Sequence, residues 1–139
     1  MFVLLEHDAT TPSEPAPAAP DVHWDLMIEV PGRERLLTWR LAGNPVTKRG
    51  AIAAERLADH RRLYLDHEGE ISRGRGRVRR LDRGPATIEW LDADTLIVVL
   101  TGHIVRGRFE ITAAPGGRGK AGDAVAETVF CRVPRRRRG

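Results

Sequence analysis

Two histidines and an aspartate carry the chemistry legible in this chain. His23 and Asp25 stand two residues apart in the run Val22-His23-Trp24-Asp25-Leu26-Met27-Ile28-Glu29, which alternates apolar and polar residues with the period of a half-buried β-strand. On such a strand an imidazole and a carboxylate share one face roughly 7 Å apart, close enough to hold one divalent ion between them. A second imidazole, His7, ends the short apolar run Phe2-Val3-Leu4-Leu5-Glu6-His7, which also reads as a strand. His7, His23 and Asp25 are therefore the candidate metal ligands. A mixed imidazole and carboxylate set suits a hard or borderline ion such as Mn²⁺, with a position left open for a phosphate oxygen or an activated water. The one cysteine, Cys131, can form neither an internal disulfide nor a zinc knuckle, and a structural thiol in a reducing cytoplasm is expected.

The elements that must position these groups are mostly strands. Val22, Trp24, Leu26 and Ile28 are assigned to a core. A turn over residues 30 to 35 leads into Leu36-Leu37-Thr38-Trp39-Arg40-Leu41, where Leu37, Trp39 and Leu41 share a face, so a hairpin is expected. Residues 51 to 65 are ambiguous: Ala, Glu, Arg and Leu favour helix, and a helix, or a single turn from Asp59 to Tyr64, puts His60 and Tyr64 on one side. Beyond a glycine-punctuated loop at 67 to 76, strands are expected at 77–81, 86–91, 95–101, 106–112 and 124–133, with 82 to 85 as one of the separating turns. Trp24, Trp39 and Trp90 fall on apolar strand faces and are assigned to packing, while Glu29 is expected to pair with an arginine. Many short strands with little helix predict an all-β fold, a small closed or nearly closed β-barrel with one short helical turn or helix.

With 139 residues, the chain fits one domain, residues 1 to 133, with a Pro-rich loop at 10 to 21 and a basic tail at 134 to 139 expected to be disordered alone. No apolar run approaches the ~20 residues of a membrane helix, and the N-terminus lacks the features of a signal peptide, so a cytoplasmic monomer is expected. Lys and Arg number 23 against 19 Asp and Glu, and with a pI near 10.2 an anionic partner is plausible. The block Arg73, Arg75, Arg77, Arg79, Arg80 and Arg83 is either a phosphate-binding surface or a solvated arginine face.

Taken in order, these pieces resemble the 3′-phosphoesterase domain of the bacterial end-joining DNA ligase D family. His23-Trp24-Asp25-Leu26-Met27-Ile28-Glu29 is similar to its His-Tyr-Asp-Leu-Arg-Leu-Glu signature, and Phe2 to Ala9 to its first signature. Asp59-His60-Arg61-Arg62-Leu63-Tyr64 resembles its Asp-His-Pro-x-x-Tyr segment, with His67-Glu68-Gly69 following, and Leu81-Asp82-Arg83-Gly84 and the run from Leu100 to Phe109 resemble its closing strands.

The resemblance, over residues 2 to 112, implies a β-barrel with a crescent-shaped groove that uses Mn²⁺ to trim a 3′-terminal ribonucleoside and remove the 3′-phosphate left behind. It implies His7, His23 and Asp25 as metal ligands, with His60 and Tyr64 as catalytic groups at the scissile phosphate. DNA or RNA-tipped DNA ends would be the substrate, and separate ligase and polymerase repair proteins the partners. Three departures stand out: Met27 replaces a phosphate-gripping Arg, a Pro-rich loop separates the first two histidines, and the glycine loop is short. Arg40, Arg49, Arg56 and Arg75 are the candidates to supply the missing charge. Two other readings remain open at this point: a non-catalytic nucleic-acid-binding module of the same fold, and a phosphoesterase for another phosphate.

Overall fold

The computed structural model describes residues 1–10, 21–71, 76–113 and 128–133. Ten strands form one antiparallel sheet: β1 (Phe2–Asp8), β2 (Val22–Ile28), β3 (Leu36–Leu41), β4 (Ile52–His60), β5 (Gly69–Glu70), β6 (Arg77–Gly84), β7 (Ala86–Leu91), β8 (Thr95–Thr101), β9 (Arg106–Ala113) and β10 (Thr128–Arg132). Among the described residues the one helical piece is a 3-10 turn at Arg62–Leu65. Among the described residues no helix is long and apolar enough to cross a membrane.

The spatial order is β5-β6-β1-β2-β3-β4-β10-β9-β8-β7. β6 and β7 thus lie near opposite ends of the sheet, yet Pro85 alone separates them in sequence. A flat sheet would hold those ends tens of ångströms apart, so the sheet must curl until they adjoin. It is a barrel-like curl rather than a closed barrel, since no ladder joins β7 to β5 or β6.

The curl encloses the main core, in which Phe2, Leu4, Leu26, Ile28, Leu37 and Trp39 pack with residues of β8 and β9. A second, smaller cluster lies on the outer face, where Val3, Leu5, Met27, Leu36 and Val78 are covered by Tyr64, Leu65 and Ile71. Being covered on both faces explains why β1 and β2 contain unbroken apolar runs at Phe2-Val3-Leu4-Leu5 and Leu26-Met27-Ile28 rather than strict alternation. Met27 therefore does not lie on an open working face, and Val22, assigned to the core, is 37% exposed at the strand's start.

Residues 52–60 are strand, not helix, because β4 fills the place between β3 and β10 and satisfies the backbone groups of both. Tertiary pairing of that kind overrides a helix propensity worth tenths of a kcal/mol per residue. The expected turn at 82 to 85 shrinks to Pro85, and Asp82 is a buried residue of β6. Trp90 is not core: on the edge strand β7 it is 57% exposed, and its indole N–H donates to Asp92 at 2.7 Å.

Where the sheet's ends meet, the Asp82 carboxylate accepts backbone N–H bonds from the β8–β9 turn. Gly102 passes so close that a Cβ there would collide with Asp82 Oδ2 and sit 2.8 Å from Phe2 Cζ. Gly102→Ala is expected to cost about 2 kcal/mol or more by overpacking, seen as a lower urea midpoint; an unchanged midpoint would mean that this corner yields freely.

Candidate metal centre

The outer face of β1 and β2 changes character along its length. In β1 it runs Val3, Leu5, His7; in β2 it runs Met27, Asp25, His23, with His7 directly opposite His23 and Leu5 opposite Asp25. The polar triad thus continues the second apolar cluster toward the end of β1 and the start of β2. The long connection does not disturb this register, because its base is tied by Ala9 N–H to the Asp21 carbonyl at 2.8 Å and by Asp21 N–H to Thr10 Oγ1 at 2.9 Å.

The ring centroids of His7 and His23 are 4.5 Å apart, nearly edge to face. Asp25, 4% exposed, has one oxygen 3.7 Å from His7 Nδ1 and the other 3.7 Å from His23 Nε2. Both distances are too long for hydrogen bonds. They suit donors sharing an ion, which sits about 2.0–2.2 Å from each nitrogen or oxygen and so spaces adjacent donors by roughly 3–4 Å. All three ligand atoms lie within 4.8 Å of one another. His23 Nε2 and Asp25 Oδ1 are buried without a hydrogen-bond partner, a costly arrangement in a folded chain unless something binds them. Burial holds the His23 pKa below the usual imidazole value, with Arg40 and His7 pushing the same way against Asp25. The ring is therefore neutral at pH 7, the form that ligates metals. On donor type, spacing and unmet bonding capacity, the triad fits a divalent cation.

His60 and Tyr64 are brought over this face by the end of β4 and the 3-10 turn, with rings 5.6 Å apart. Arg62 anchors the turn: its guanidinium binds Glu29, as expected of that carboxylate, and donates to the carbonyls of Glu34 at 3.2 Å and Arg33 at 2.7 Å. Nδ1 of His60 lies 2.7 Å from the Ala58 carbonyl. A carbonyl only accepts, so Nδ1 carries a proton, and in the neutral ring Nε2 holds the lone pair. A pocket of about 100 Å³ is lined by His7, Asp25, Arg40, His60 and Tyr64 over an apolar floor of Met27, Ile71 and Val78. Compared with protein-family models and with curated proteins, this chain matches none.

The four arginine candidates separate clearly. Arg40, opposite Asp25 on β3, lines the pocket. Arg56 does not: it lies over the Trp39 ring at 4.8 Å and spends its donors on Thr38, Leu57 and Asp59. Arg49 is exposed in the β3–β4 loop and is not among the pocket residues. Arg75 lies outside the described residues, as does the basic tail. The arginine block is partly neutralised, with Arg79, Arg80 and Arg83 paired to Glu6, Glu68 and Asp66. Sequence reasoning missed Ile71 and Val78 as pocket walls; Val78 faces His7 through the β1–β6 ladder, a pairing between distant segments that no local pattern announces.

Proposed function

We propose that this chain is a divalent-metal-dependent phosphoesterase that processes 3′ ends of DNA or RNA-tipped DNA. The observation that carries the reading is the pocket in which His7 and Asp25 of the metal-competent triad converge with His60, Tyr64 and Arg40, while His23 completes the triad beside it; the choice of a 3′ nucleic-acid end rests on the resemblance to the ligase D phosphoesterases. A divalent ion held by His7, His23 and Asp25, Mn²⁺ being the one proposed, would supply Lewis acidity toward a phosphoryl oxygen. Tyr64 donates its O–H to a non-bridging oxygen as charge grows there. His60, through Nε2, takes the proton of the attacking water or returns one to the leaving oxygen, which is the 5′-oxygen of the departing ribonucleoside in the first step and the 3′-oxygen of the DNA when the phosphate left behind is removed. Met27, Ile71 and Val78 keep the floor dry, which strengthens each of these polar contacts. Ligase and polymerase partners acting in trans, in the cytoplasm, complete the proposal.

The test is a labelled primer-template with one 3′-ribonucleotide, incubated with Mn²⁺ or with EDTA. Wild type should shorten and dephosphorylate the end only with metal. His60→Ala is expected to lower the rate by about 10²- to 10⁴-fold while Mn²⁺ affinity stays unchanged. The buried, uncharged Met27 favours a second reading, a binding module without turnover; DNA binding with no metal-dependent product would select it. Product from small phosphates but not from DNA ends would redirect the substrate.

A further inference from the structure

We infer that Arg40 is the phosphate-gripping residue of this pocket, a substrate-binding group reaching the reacting phosphate from β3; this rests on the phosphoesterase reading above. A phosphoryl group in flight spreads negative charge over its non-bridging oxygens, and a guanidinium fork answers two of them at once. Among the described residues lining the pocket, Arg40 is the one Lys or Arg. Met27, one step along the outer face from Asp25, is buried and offers no donor.

Arg40 is held by one long ion pair, and its Nε makes no hydrogen bond. Its side chain is 41% exposed, its Nε is 4.0 Å from Asp25 Oδ1, and that Nε is buried without a hydrogen-bond partner. The cross-strand neighbours place it firmly: Asp25 lies opposite on β2 and Glu55 opposite on β4. The guanidinium is thus held beside the metal triad, with donors unspent. Neighbouring arginines are occupied elsewhere, Arg56 by Asp59 and the Thr38 carbonyl, Arg62 by Glu29, and Arg80 by Glu68. Among the described residues the one charged contact of Arg40 is the long approach of Nε to Asp25 Oδ1, which leaves the terminal nitrogens of the fork for a bound phosphate.

The experiment compares wild type, Arg40→Ala, Arg40→Lys and Arg35→Ala, the last removing an exposed charge away from the pocket. Each full-length protein is titrated calorimetrically with Mn²⁺, then with inorganic phosphate in the presence of Mn²⁺, and assayed on the 3′-ribonucleotide primer. Arg40→Ala should lower kcat by about a hundredfold or more and weaken phosphate binding at least about tenfold. Its Mn²⁺ affinity should hold or tighten, because a positive charge beside Asp25 is gone. Arg40→Lys should recover part of the loss, since it restores charge without the fork, and Arg35→Ala should match wild type. Wild-type kcat and phosphate affinity in Arg40→Ala would overturn the inference, as would a parallel loss of Mn²⁺ affinity, which would make Arg40 a support for Asp25. If wild type binds Mn²⁺ but neither binds phosphate nor turns over, the phosphoesterase reading and this inference fall together; if wild type turns over and Arg40→Ala does too, only this inference falls.

Discussion

Asp25→Ala, like His23→Ala, is expected to abolish metal uptake and lower product formation by about a thousandfold, the several kcal/mol a Lewis acid contributes at roughly 1.4 kcal/mol per tenfold. The same change should not weaken the metal-free protein. Asp25 is 4% exposed, its Oδ1 and His23 Nε2 lack hydrogen-bond partners, and a buried unsatisfied polar group costs about 1–3 kcal/mol. In EDTA the variants should therefore melt at or above the wild-type temperature. Adding Mn²⁺ reverses the ranking, because an ion that binds only the folded state stabilises it by about 2.7 kcal/mol at a hundredfold excess over Kd. Thermal melts of both proteins in EDTA and in Mn²⁺ decide the matter. A variant that melts well below wild type in EDTA, or still gains stability from Mn²⁺, would mean that the triad is a structural polar cluster.

Asp82→Ala should be the most damaging single change to the fold outside the apolar core. The carboxylate, 4% exposed, accepts N–H bonds from Arg83, His103, Ile104 and Val105 at 2.8, 2.9, 3.0 and 2.6 Å. Removing it orphans the buried donors where the two ends of the sheet meet. Hydrogen bonds to a charged group are worth about 1.5–3 kcal/mol each, and they are not additive, so a total loss of about 3–5 kcal/mol is expected. That is a large part of the ~5–15 kcal/mol by which domains are stable. Asp82→Asn should recover little, since its NH₂ would face donors.

The pH dependence follows from the same geometry. Burial alone would raise the Asp82 pKa, but the four backbone donors outweigh it and hold the pKa below the ordinary carboxylate value. The unfolded chain therefore takes up the proton first as pH falls. The stabilisation is complete above the unfolded pKa of about 3.9 and is lost as pH drops through the lower folded value. Wild type should lose stability steeply below about pH 4, and Asp82→Ala should be flatter there. Denaturant midpoints at pH 7 and across the acid range measure both effects; equal acid slopes would rule out Asp82 as their source.

Period-two patterning was enough to read the all-β character, the β2–β3 hairpin and most strand positions from the chain, because each strand shows its core face locally. The candidate triad was legible too. His23 and Asp25 share a strand face by spacing alone, and both histidines end up paired once β1 and β2 form antiparallel neighbours. Other features depended on pairings between distant segments. The helix favoured over residues 51 to 65 became β4 because β3 and β10 needed a partner there, and Trp90 was left exposed because β7 closes no further ladder. The choice of Arg40 over Arg49 and Arg56 likewise came only from the β2–β3 register and from contacts that occupy Arg56 elsewhere. Residue types and their two-residue spacing determined which groups were capable of chemistry; the curl of the sheet and its cross-strand register decided which of them meet, since a strand specifies its own faces but not its neighbours.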